Sequence, residues 1–167
     1  MKHTIHAVVM CLCLTTGVAV PLADEGGTAA AQGLSRLKAL AGTWEGKGPE
    51  GTPVKITFSM AGEGSTVMEH LSLGDMITMY HRDGDSLMLT HYCAGDNQPR
   101  MTGTGLSADG KSIAFKLRDV TNLPSPDAPH MKSLTIRFED ADHITEEWTH
   151  GGASKESPMV IHLARVK

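Results

Sequence analysis

Hydrophobic and polar residues change their period once along this chain. Early on, Leu34, Leu37, Leu40 and Ala41 recur at spacings of three and four, with Ser35, Arg36 and Lys38 between them. That period predicts a short amphipathic helix, and Gly42 stops it. Beyond it the period becomes two. Val54, Ile56, Phe58 and Met60 alternate with Lys55, Thr57 and Ser59. The same alternation links Ile113, Phe115 and Leu117, then Leu134, Ile136 and Phe138, then Ile144, Glu146 and Trp148, then Ile161, Leu163 and Arg165. Turn-forming clusters separate the segments, among them Asp83-Gly84-Asp85 and Gly151-Gly152. From Trp44 onward the pattern predicts about ten short strands with no helix between them. Parallel β-α-β construction is thereby excluded, and an all-β, antiparallel barrel or sandwich is expected.

Polar residues on the apolar faces point to the barrel. Glu69 stands beside Val67 and Leu71, His91 beside Leu87 and Leu89, and Glu146 beside Trp148. A dry sandwich core penalises such groups unless each is paired, whereas a small barrel with a wet interior tolerates them. Residues 119–130 carry three prolines and form the one long connection, which cannot be a central strand. Connections of that length often act as lids or binding loops.

The start of the chain follows another rule. Residues 1–23 have a basic opening at Lys2, an uncharged apolar run and small residues before Asp24. This is the pattern of a secretory signal peptide, too short to span a bilayer. The chain is therefore expected to be exported, to the periplasm or beyond, as one domain over residues 24–167 with no membrane attachment after cleavage. Two of the three cysteines lie in the leader, which leaves Cys93 without an internal partner. Net charge is −4 over 167 residues, and nothing in the chain has the basic footprint of a nucleic-acid binder.

Two segments carry a resemblance. Gly42-Thr43-Trp44-Glu45-Gly46-Lys47-Gly48 resembles the opening strand of the lipocalin and fatty-acid-binding superfamily and matches the nitrobindin signature in spacing. Residues 80–85, 87–93 and 97–101, with Asp119, Asn122 and His130-Met131, resemble a family of exported bacterial lipocalin-like (calycin-type) proteins with no established activity. The resemblance spans residues 34–167. It implies a lipocalin-like β-barrel with a short N-terminal helix, in which Trp44 packs the closed floor. Nitrobindin-like proteins hold haem through a histidine near the C-terminus, which makes His162 the matching candidate. Strand alternation, however, turns His162 outward, and the chain has only two tryptophans, two tyrosines and three phenylalanines to line a haem pocket.

The densest polar constellation is His91-Tyr92-Cys93 followed by Asn97, Gln98 and Arg100. Glu69, His81 and Glu146 are expected to join it from other strands, and Asn122 and His130 from the proline loop. His81, His91, Cys93 and His130 are zinc or copper ligand types but lack close ligand spacing. His91 beside Cys93 permits an activated thiol. Arg100 permits pairing with an anionic group, with histidine and amide side chains orienting the ligand. The bland alternative is a self-bonded turn over residues 97–100. The reading that follows is interior binding of a small, partly apolar molecule. His91, Cys93, Asn97, Gln98, Arg100, Asn122 and His130 are its polar candidates and Trp148 a cavity wall. No catalytic or metal residue is assigned and the cofactor is left open. The alternatives are a haem- or metal-dependent enzyme and a protein-interaction scaffold.

Overall fold

A computed structural model describes residues 27–153 and 158–167; the leader expected over residues 1–23 lies outside them. Helix α1 (Ala29–Lys38) is followed by ten strands: β1 (Gly42–Lys47), β2 (Pro53–Ala61), β3 (Thr66–Leu71), β4 (Met76–Asp83), β5 (Ser86–Tyr92), β6 (Gln98–Gly103), β7 (Ser112–Thr121), β8 (His130–Phe138), β9 (His143–Gly151) and β10 (Met159–Arg165). Every strand pairs antiparallel with the next, and β10 pairs with β1 through Trp44 opposite Arg165, closing the barrel. Closure leaves no unpaired sheet edge among these strands. Most positions given by the period of two are buried, namely Val54, Ile56, Phe58, Ile113, Phe115, Leu134, Ile136, Ile144, Trp148, Ile161 and Leu163, whereas Met60 near the end of β2 is exposed and Leu117 is half-buried.

Helix α1 shuts one end. Thr28 Oγ1 caps its start by accepting from the Ala31 N–H at 3.3 Å. Ala30, Gly33, Leu34 and Leu37 bury its inner face. Two glycines permit the close docking. A Cβ on Gly33 would lie 2.7 Å from Leu87 Cδ1, and one on Gly105, at φ +111°, would lie 2.1 Å from the Ala29 carbonyl. Only glycine accepts both that φ and that approach.

Trp44 is fully buried beneath the helix, and its Nε1 donates to the Leu40 carbonyl at 2.8 Å. The Arg165 guanidinium lies 4.3 Å above the Trp44 ring centre and donates to the Ala39 and Ala41 carbonyls, each at 2.9 Å. These bonds satisfy carbonyls that the end of α1 would otherwise leave orphaned. The G-x-W-x-G motif thus has a packing reason at each end. Trp44 fills the floor, while a Cβ on Gly46 would lie 2.0 Å from the His162 carbonyl across the closing seam.

Two irregularities redirect side chains. A register shift between Met131 and Ser133 leaves Lys132 unpaired, so that His130 and Met131 are both buried. A second shift on the β6–β7 ladder sets Asp119 opposite Arg100. The proline loop is also shorter than the composition suggests. β7 continues to Thr121 and β8 begins at His130, because the prolines fall only within residues 122–129.

Candidate functional site

The half of the barrel away from α1 holds an internal polar belt. Strand register aligns Glu69 of β3 with Thr78 of β4, and Thr78 with His91 of β5. All three point inward and are buried. Tyr80, two residues after Thr78 on the same face, donates its hydroxyl to Glu69 Oε2. Thr78 Oγ1 and His91 Nδ1 are hydrogen-bonded at 3.0 Å. From the far wall, Glu146 of β9 accepts from Trp148 Nε1 at 3.1 Å. The Trp148 ring closes the belt, 4.8 Å from the His91 ring centre to centre.

Three buried atoms of this region have no partner among the described residues: Glu146 Oε1, His91 Nε2 and Asn97 Oδ1. Their residues are 0%, 2% and 1% exposed. Burial of unpaired polar atoms costs about 1–3 kcal/mol each, so each expects a partner. No lysine or arginine is among the buried polar residues described.

This setting moves every titration in the belt. Burial, reinforced by the Glu146 charge, pushes the Glu69 carboxyl well above the usual range, against the opposing Tyr80 hydrogen bond. Burial also pushes Glu146 up to about 7, partly offset by the Trp148 hydrogen bond. The His91 ring is brought down to about 4 by burial. Tyr80 is raised by burial and by the two glutamates. At neutral pH, therefore, His91 is a neutral imidazole and Glu146 is poised between its two forms, while burial favours the protonated form of Glu69.

The residues singled out in the sequence divide between inside and outside. His91, Asn97, His130 and Trp148 are brought to the interior or its mouth. Asn97 Nδ2 donates to the Gly95 carbonyl at 3.3 Å and the Pro129 carbonyl at 3.1 Å, joining two loops over the mouth. His130 Nδ1 donates to the Ala128 carbonyl at 2.8 Å. Its ring rests on Gly151, where a Cβ would come within 2.5 Å.

Others lie elsewhere. Arg100 points outward, opposite in phase to buried Pro99 and Met101, and its Nε pairs with Asp119 Oδ1 at 2.5 Å. Gln98 shares that outward phase. Asn122 is exposed at φ +57° and donates from Nδ2 to the Asp96 carbonyl at 2.5 Å. His81 also faces outward, contrary to expectation, because Thr78 and Tyr80 occupy the inward phase of β4. Cys93 lies just past β5, half-buried, with Sγ accepting from the Gly95 N–H at 3.5 Å. The one protein hydrogen bond of the His91 ring goes to Thr78, so His91 does not activate the thiol. Among the described residues no three His, Cys, Asp or Glu side chains converge as metal ligands.

His162 is exposed on the outer wall, with Nδ1 hydrogen-bonded to Thr145 Oγ1 at 3.0 Å. It lines a groove of about 700 Å³ outside the barrel, with Glu45, Lys47, Glu139 and His143. Haem held inside the barrel through His162 does not fit this orientation. The side chains missed by sequence reasoning are Thr78 and Tyr80. Their alternation with Met76 was visible, but His81, in the opposite phase, drew the histidine-based reading.

The fold has a solved counterpart. The crystal structure of Rv2717c from M. tuberculosis superposes with a TM-score of 0.57 at 17% identity, covering 83% of this chain and 99% of that one. At that identity the likeness establishes the shared barrel fold. No family model matches the chain, and no curated protein sequence does.

Proposed function

We propose that this chain is an exported lipocalin-like barrel that binds a small, partly apolar molecule in the half of its interior away from α1. The single observation that carries the binding site is the set of three buried polar atoms without partners among the described residues, Glu146 Oε1, His91 Nε2 and Asn97 Oδ1. Trp148 adjoins two of their residues, and Leu71, Met76 and Met131 are also buried. An apolar lining with a few convergent polar groups is the composition of small-molecule sites. Export is supported by the charge and hydropathy pattern of residues 1–23.

Native mass spectrometry of protein recovered from its producing cell tests both parts. The expected spectrum shows a chain shortened by the leader, carrying an added mass that is lost on denaturation. Replacing Trp148 by Ala removes the added mass while the barrel's circular dichroism persists. A full-length chain would overturn export. An added mass that survives in the Trp148→Ala protein would overturn the interior site.

A further inference from the structure

We infer that the interior site takes a small organic cation, an amine whose ammonium group sits against Glu146 and His91 and whose apolar body lies along Trp148. This rests on the reading of the barrel as an interior binder and adds the class of ligand.

The first ground is charge. Glu69 and Glu146 share one interior, close enough that the charge of one raises the titration of the other. No lysine or arginine among the buried polar residues described there neutralises them. The guanidinium groups nearest the core stand outside this half: Arg165 covers Trp44 at the closed end, and Arg36 lies over Phe138, 4.7 Å from its ring centre. A carboxylate buried here needs a paired charge, and the pair that ionised Glu146 lacks among the described residues is a cation.

The second ground is the hydrogen-bonding capacity left open. Glu146 Oε1 and Asn97 Oδ1 are acceptors. Neutral His91 accepts through Nε2 when its Nδ1 donates to Thr78. An ammonium brings three donors and no acceptor, which complements this set. An anion would meet the Asn97 amide oxygen, an acceptor, and the Glu146 carboxylate. Both Glu146 and His91 are more than nine-tenths buried and both meet Trp148, through a hydrogen bond and a ring contact respectively.

The third ground is the wall. The indole face is the strongest aromatic partner for a cation, and more so when desolvated. Trp148 is oriented by its bond to Glu146, which sets the carboxylate beside the ring.

The two tryptophans provide the test, because Trp44 lies at the other end of the barrel under α1. Protein labelled with ¹⁵N on the indole nitrogens is titrated at pH 7.5 with benzylammonium, benzyl alcohol and benzoate, three probes of one shape and different charge. The expected result is a saturable shift of the Trp148 signal with benzylammonium and no shift of Trp44. Benzyl alcohol binds at least tenfold more weakly, and benzoate does not bind. In Glu146→Gln the tenfold preference for the amine disappears while benzyl alcohol still binds, and the unchanged Trp44 signal confirms that the barrel is folded. If benzyl alcohol or benzoate moves Trp148 as readily as the amine, the cationic class is wrong and interior binding stands. If none of the three moves Trp148, interior binding itself is overturned and the ligand class with it.

Discussion

Two buried indoles, Trp44 and Trp148, sit at opposite ends of one barrel and are treated differently by it. Trp44 gives its N–H to a backbone carbonyl and lies under a guanidinium that itself caps the helix end. Every polar atom named around it has a partner within the chain. Trp148 gives its N–H to a carboxyl group whose other oxygen has no partner among the described residues, nor has Nε2 of its ring neighbour His91. The floor is satisfied by its own chain, whereas the belt has capacity to spare. That contrast separates a region satisfied by its own chain from one that gives up stability, as the proposed binding would require.

The largest effect should come from the floor. Trp44→Ala removes a fully buried ring together with its hydrogen bond and its cation–π partner. We expect it to destabilise the protein by about 3–5 kcal/mol. Urea unfolding measures this, and a loss below 1 kcal/mol would break the assignment of the floor as the structural end.

The belt should respond with the opposite sign. Glu146 titrates near 7 in the folded barrel, against an unfolded value near 4.5. Between those values the folded state holds a proton that the unfolded state has released, so this group lowers stability as pH rises through the window. Removing it in Glu146→Gln should stabilise the ligand-free protein at pH 8 by on the order of 1–3 kcal/mol, with the gain vanishing towards pH 4. His91 acts in reverse. Its folded value near 4 lies below its unfolded 6.5, so its contribution is fully present above pH 6.5 and is lost as pH falls towards 4. His91→Gln should therefore steepen the fall of stability with rising pH between 4.5 and 6.5, by roughly 1 kcal/mol per unit, while Glu146→Gln flattens or inverts it. Unfolding midpoints across that range decide the matter. Parallel profiles in the two variants would mean that neither group is held away from its ordinary titration.

The smallest effect belongs to the outer wall. Arg100 and Asp119 are paired at 2.5 Å, with side chains 47% and 39% exposed. Arg100→Ala should cost less than about 1 kcal/mol, and less still in high salt. It should leave the Trp148 indole signal unchanged, because Arg100 stands outside the interior. A shift of that signal would return Arg100 to the site.

Strand alternation alone revealed the number of strands, their antiparallel character, the helix and the inward placement of Glu69, His91 and Glu146, since a half-buried strand must segregate its faces at a period of two. It also turned His162 outward, as found. The rest depended on register and local irregularity. The bulge at Lys132 brings His130 and Met131 inside together, and a polar cluster in sequence, His91 to Arg100, is divided between the inside, the mouth and the outer wall. Position along one strand tells which face a side chain takes. Only the closed set of ten pairings tells which faces meet, and so only the tertiary structure joined His91 and Trp148, far apart in sequence, around two buried acids with no lysine or arginine among the buried polar residues described.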